Sequence, residues 1–128
     1  MGLRGEKVVA EWYEAHGFSV VARNWRSRTG EIDLIVRRGD LVIMCEVKTR
    51  SSTRFGAPQE AVTATKARRI RRIAAEWLAS SRASGTLGGP ASVSGAGGRR
   101  AGVDVRFDVA SVTSRQGDLV VEVIEGAF

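Results

Sequence analysis

Two short acidic motifs, Glu31-Ile32-Asp33 and Glu46-Val47-Lys48, lie on either side of Arg38-Gly39-Asp40. The segments that carry them alternate polar and apolar residues, and the residues between them suit a tight turn, so the spacing predicts a β-hairpin with strands over 31–37 and 41–48. With Gly39 and Asp40 as a two-residue turn, Arg38 faces Leu41. The same register then sets Asp33 opposite Glu46 and Glu31 opposite Lys48. Cross-strand partners share a face of a sheet, and period-two alternation keeps Glu31 with Asp33 and Glu46 with Lys48. Ile32, Leu34, Val36, Ile43, Cys45 and Val47 are left to supply the opposite face with core. A slip of one residue would put Asp33 and Glu46 on opposite faces, so the cluster depends on loop parity.

Opposed carboxylates repel, by roughly 0.2 to 1 kcal/mol when exposed and by more when buried. Something positive placed between them removes that cost. Hard divalent cations such as Mg²⁺ or Mn²⁺ take carboxylate oxygens and keep waters for a phosphate substrate. A neighbouring ammonium can orient an attacking water and counter charge that builds on a phosphoryl group. Asp33, Glu46 and Lys48 are therefore candidates for metal-assisted phosphodiester hydrolysis. The competing reading is the solvated face of an ordinary hairpin, where an acid two residues before a lysine is commonplace.

Other elements must hold that hairpin. Val9, Trp12, Tyr13 and His16 recur at helical spacing and predict a helix over 3–16 that Gly17 ends. Residues 18–26 suit a strand. A long helix is expected from Pro58 to about Ser80, with Val62, Ile70, Ile73, Ala74, Trp77 and Leu78 as its apolar stripe. Residues 103–112 and 119–124 suit a second hairpin. The order α-β-β-β-α-β-β predicts an α/β or α+β sheet with helices packed against it. Between helix and second hairpin, residues 82–102 are Gly/Ser-rich and poor in large apolar side chains, and are expected to form a flexible loop.

Composition narrows the classes. At 128 residues the chain has room for one domain, read as 1–128, and 43% hydrophobic content argues against global disorder. The only Cys, with a single His, excludes a disulfide framework and a Cys/His zinc site. Apolar runs are too short for a membrane-spanning helix, and the charged N-terminal residues Arg4, Glu6 and Lys7 do not resemble a signal peptide, so a cytoplasmic location without membrane attachment is expected. Twenty Lys+Arg against 14 Asp+Glu leave a net charge of +6, which suits a polyanionic partner.

The run Gly30-Glu31-Ile32-Asp33-Leu34-Ile35 followed by Glu46-Val47-Lys48-Thr49-Arg50 resembles the YraN family of small bacterial proteins, within the PD-(D/E)XK nuclease superfamily and similar to archaeal Holliday-junction resolvases. The likeness continues through Gly5-Glu6, Arg23-Asn24-Trp25-Arg26, Phe55-Gly56, Pro58, Glu60-Ala61-Val62, Lys66, Arg106-Phe107-Asp108-Val109 and Ala127-Phe128. It implies a restriction-endonuclease-like αβββαβ core, a mixed central sheet flanked by helices. It also implies that Asp33 and Glu46 are metal ligands for Mg²⁺ or Mn²⁺, that Lys48 is the catalytic lysine, and that Glu6 is an additional catalytic and metal-binding carboxylate. The substrate implied is DNA, with branched or structured DNA favoured, and the analogy with resolvases implies a homodimer. Ile32 stands where the superfamily's name places a proline, and the 82–102 segment is longer than the family needs.

Glu6 lies three residues before Val9 and seven before Tyr13, which continues the core-facing stripe; a first-turn carboxylate favoured by the helix dipole is the alternative. Gln59 matches an auxiliary polar position, or simply starts a helix. Candidate phosphate contacts are Arg26 and Arg28 beside Trp25, and Lys66, Arg69 and Arg72 on the long helix, with a solvated helix face as the alternative. Lys66 falls in line with Val62 and Ile70. His16 suits a helix C-cap, and Cys45 a buried hydrophobe. The competing function class is a nuclease-like fold that binds nucleic acid or a protein without cutting.

Overall fold

Apolar residues fill successive positions of the central strands as well as alternate ones, and such strands need cover on both faces. The computed structural model, which describes residues 2–50, 63–84 and 102–128, provides it with one helix on each side. The elements are α1 (Gly2–Ala15), β1 (Ser19–Arg26), β2 (Glu31–Arg38), β3 (Leu41–Arg50), α2 (Ala64–Ser84), β4 (Asp104–Arg115) and β5 (Asp118–Ile124). The strands form one sheet in the order β1-β2-β3-β4-β5. Only β3 and β4 run parallel, as a strand–helix–strand crossover through α2 requires, and the other neighbours are antiparallel. This is the expected α/β architecture with a mixed sheet, consistent with a restriction-endonuclease-like fold.

Val9, Ala10 and Tyr13 of α1 pack on Leu34, Val36, Ile43, Cys45, Ala110 and Val112. On the other face, Ile70, Ile73, Ala74 and Trp77 of α2 pack on Ile32, Ile35, Val42, Met44 and Phe107. Gly17, at φ 88°, ends α1 as expected. The Phe18 amide donates to the Tyr13 carbonyl at 3.0 Å and the Gly17 amide to the Glu14 carbonyl at 3.1 Å, which makes a Schellman cap. The Tyr13 and Phe18 rings meet edge to face across it. His16 caps too, with Nδ1 2.7 Å from the Trp12 carbonyl.

Several expectations are corrected. Helix α2 starts at Ala64 because Thr63 is its N-cap: its hydroxyl accepts from the Lys66 amide at 3.1 Å and its carbonyl from the Ala67 amide at 2.8 Å. Pro58, Gln59 and Val62 lie outside the described residues, as does most of the Gly/Ser-rich segment, whose first residues instead continue α2 to Ser84. Ile32 packs with the α2 cluster and not beside Leu34 and Val36, so the alternation of β2 breaks at Asp33. Asn24 on the neighbouring strand has φ 50°, a left-handed conformation that a short polar side chain tolerates. No described helix is long and apolar enough to cross a membrane.

A buried carboxylate ties the ends of the fold together. Asp108 on β4 is fully buried. It accepts from the Tyr13 hydroxyl at 2.7 Å, from Arg106 Nε and Nη2 at 2.9 and 3.0 Å, and from the Gly126 amide at 3.1 Å. Burial, with the Cys45 thiol and the Asp108 carboxylate beside it, pushes the Tyr13 phenol far up, so it stays a donor. Removing the acceptor would strand several donors at once. Asp108→Ala is expected to lower the unfolding free energy by about 3–5 kcal/mol in urea denaturation. Arg115→Ala, at an exposed strand end, should change it by less than about 0.5 kcal/mol.

Candidate active site

The β2–β3 hairpin keeps the expected register, with Arg38 opposite Leu41 and Leu34 opposite Cys45. Beyond Leu34 and Cys45 the ladder between these strands stops, while β3 continues beside β4 as far as Arg50 and Thr113. Val47 thereby loses a backbone partner on the β2 side. Asp33 replaces it: Oδ2 accepts from the Val47 amide at 2.8 Å. The hydrogen bond fixes the carboxylate where the two strands part.

Glu46 and Lys48 follow Val42 and Met44 on the face of β3 that α2 covers. The Glu46 side chain is only 12% exposed, and its Oε2 lies 3.2 Å from Lys48 Nζ. The same oxygen is ion-paired with Lys66 Nζ, which descends from the first turn of α2. Two ammonium groups thus share one carboxylate oxygen. The amine of Lys66 beside it, with burial, pulls the Lys48 pKa down from its ordinary value. Burial is the largest single influence on Lys66 and opposes its charge, but the hydrogen bond to Glu46, the neighbouring Lys48 amine and the carboxylates of Glu46 and Asp33 together outweigh it and raise the pKa.

Asp33 is in a different field. Burial pushes its carboxyl up from 3.8 to about 6, against the Val47 amide that favours the charged form, and with help from the carboxylates of Glu46, Glu6 and Glu31. Glu6 reaches this neighbourhood because α1 approaches β3 closely at the preceding residue. A Cβ on Gly5 would lie 2.5 Å from Thr49 Oγ1. Only a residue without a side chain permits that approach unless Thr49 shifts.

The structure therefore brings Asp33, Glu46, Lys48 and Glu6 into one electrostatic neighbourhood. Neither Asp33 opposite Glu46 nor Glu31 opposite Lys48 forms a ladder pair, because the ladder ends at Leu34 and Cys45, and Glu31 turns to the other neighbour. It pairs with Arg26, its β1 partner, at 3.6 Å. Lys66 belongs to the acidic site through Glu46. Its alignment one turn before Ile70 on the stripe of α2 is the sequence signal that places it there. Arg28, Arg69 and Arg72 come together around a separate concavity that Arg26 and Lys66 do not line. Trp25 packs against the α2 core cluster.

In chemistry, Asp33 and Glu46 fit a hard divalent cation: both offer carboxylate oxygens, and Asp33 stands among like charges that a cation would relieve. In geometry the fit is looser. Among the described residues no three His, Cys, Asp or Glu side chains are gathered closely enough to hold a metal ion, and the two lysines already stand on Glu46.

The raised Asp33 pKa carries a pH signature. A carboxyl that is easier to protonate in the fold contributes stability below its unfolded pKa near 3.8, and that contribution is lost as pH rises through about 6. Asp33→Asn keeps an oxygen for the Val47 amide and removes the charge. By calorimetry without divalent metal, its melting temperature should exceed that of the wild type by more at pH 8 than at pH 4.5. An equal difference at both would mean an ordinary, well-solvated carboxylate.

A profile described as "Uncharacterised protein family UPF0102" matches residues 5–112, which include every site residue named above. A UPF0102 protein of Frankia casuarinae is 43% identical across the whole chain, covering 95% of its own length. One from Acidothermus cellulolyticus is 38% identical over the same extent, covering 92% of its length. A UPF0102 protein of Leifsonia xyli is 54% identical, with the match confined to 60% of this chain and 65% of the relative. The two motifs of the β2–β3 hairpin, the fold they stand in and these full-length similarities agree, and the chain belongs to UPF0102, the YraN family.

Proposed function

We propose that this protein is a divalent-metal-dependent endonuclease that hydrolyses DNA phosphodiester bonds, with branched or structured DNA as its favoured substrate. The observation that carries the reading is the parting of β2 and β3, where Asp33 is fixed by the Val47 amide beside Glu46 and its two lysines. Asp33 and Glu46 would hold Mg²⁺ or Mn²⁺, with Glu6 as a further carboxylate. The ion, when bound, supplies polarisation of the phosphoryl oxygen. Asp33 needs to be ionised for this role, so below about pH 6 a proton competes with the ion for it.

Lys48 is suited to orienting the attacking water and countering charge that develops on phosphorus, since its ammonium is held on Glu46 and not free in solvent. Lys66 holds Glu46 from the opposite element. The basic residues bind the backbone without reading sequence. The likeness to resolvases extends the reading to a homodimer that engages two strands, and DNA as substrate suits a cytoplasmic enzyme.

A second reading has its own observation. The ion pairs at Glu46 already neutralise much of the acidic cluster, as suits a nuclease-like fold that binds nucleic acid without cutting it. Incubation of the wild type and Lys48→Ala with duplex, single-stranded and four-way-junction DNA, with Mg²⁺ or Mn²⁺, separates the two. Hydrolysis predicts metal-dependent cleavage by the wild type and a loss of about 100-fold or more in the variant. DNA binding without cleavage under every condition would establish the binding module instead.

A further inference from the structure

Arg68, Arg69 and Arg72 of α2, with Arg28 and Thr29 of the β1–β2 loop, line one open concavity. Among the described residues, Arg28, Arg69 and Arg72 make no ion pair, and Arg68 is bonded to the Thr65 hydroxyl at 3.4 Å. Glu76 acts on Arg72 through space. Guanidinium groups crowded around one hollow repel, and nothing in the core explains their convergence.

The hollow is also preformed. The Ser27 amide donates to the Gly30 carbonyl at 2.8 Å and the Thr29 amide to Ser27 Oγ at 3.1 Å, which closes the loop on itself. The Thr29 hydroxyl donates to Glu76 Oε2 at 2.8 Å, tying the loop to α2. At Gly30 an added Cβ would lie 3.0 Å from Ile73 Cδ1, so loop and helix are in close contact. Arg28 is therefore carried on a fixed support facing the arginines of α2. A fork of donors held in place is what binds phosphate oxygens with good geometry.

We propose that this hollow is a second phosphate-binding site, which grips the nucleic-acid backbone to one side of the acidic site at Asp33, Glu46 and Lys48. The substrate class rests on the proposed function; the site itself rests on the arginines. Lys66 and Arg72 are six residues apart on one helix, about 9 Å along its axis. The hollow takes phosphate and leaves the bases unread, so it adds affinity without sequence preference.

Binding of a short fluorescein-labelled DNA duplex, followed by anisotropy in EDTA over a KCl series, tests this. Each phosphate contact contributes about 0.9 to the slope of log affinity against log salt. Arg69→Gln combined with Arg72→Gln should lower the slope by about 1.8, and Arg28→Gln by about 0.9, on duplexes of unrelated sequence. Arg115→Gln, at the exposed end of β4, should leave it unchanged. Slopes equal to the wild type in the hollow variants, or no duplex binding by the wild type, would overturn the proposal. Because no metal is present, the two readings fail separately. A protein that binds with these slopes and never cleaves keeps the hollow and loses the endonuclease. One that cleaves while the variants keep the full slope does the reverse.

Discussion

The site depends on a side chain standing in for a strand. From Arg38 and Leu41 to Leu34 and Cys45, the hairpin is held by its own backbone. Beyond that point β3 leaves β2 and follows β4, and a half-buried amide needs an acceptor. Asp33 provides it. The substitution lets the strands part without an unmet hydrogen bond, and it delivers a carboxylate to the gap so formed. The break in alternation that moves Ile32 to the α2 side is the local cost of that rearrangement.

Around this gap the protein places charges that are each unfavourable alone. Asp33 is surrounded by like charge and held partly away from water, whereas Glu46 carries two ammonium groups on one oxygen. The lysines come from different elements, one from β3 and one from the first turn of α2, so closing the crossover assembles the pair. Glu6 joins from a third element, through the close passage of Gly5 over Thr49. The net charge of +6 is thus a poor summary of the molecule. Its informative charges are a few acids with two lysines, and a cluster of arginines at some distance along the same helix.

Much of this was legible in the sequence. The two-residue turn at Gly39 and Asp40 was enough to set the register, because parity propagates along a ladder while the ladder lasts. Gly17 marked the end of the first helix through its backbone freedom, and the order of elements followed from periodicity. Parity could not reveal where the ladder ends, since that depends on a side chain outcompeting a strand for one amide. For that reason parity alone pairs Asp33 with Glu46 and Glu31 with Lys48, and neither pair forms in the ladder. The start of α2 was set by the hydroxyl of Thr63, a local competition that an apolar stripe does not register. Lys66 lay on that stripe in plain view, yet only the packing of helix on sheet shows that the stripe runs past the core to a carboxylate.

Cys45 closes the β2–β3 ladder at its last pair, opposite Leu34, and lies 1% exposed beside Asp108 in the parallel register. Burial pushes its thiol well above the ordinary range, so the reactive thiolate is nearly absent while the sheet is intact. The chain has no other cysteine. Its chemical silence is therefore a property of the closed junction between β2, β3 and β4. The rate at which a small alkylating reagent consumes that one sulfur is a clock for how often the centre of the sheet comes apart.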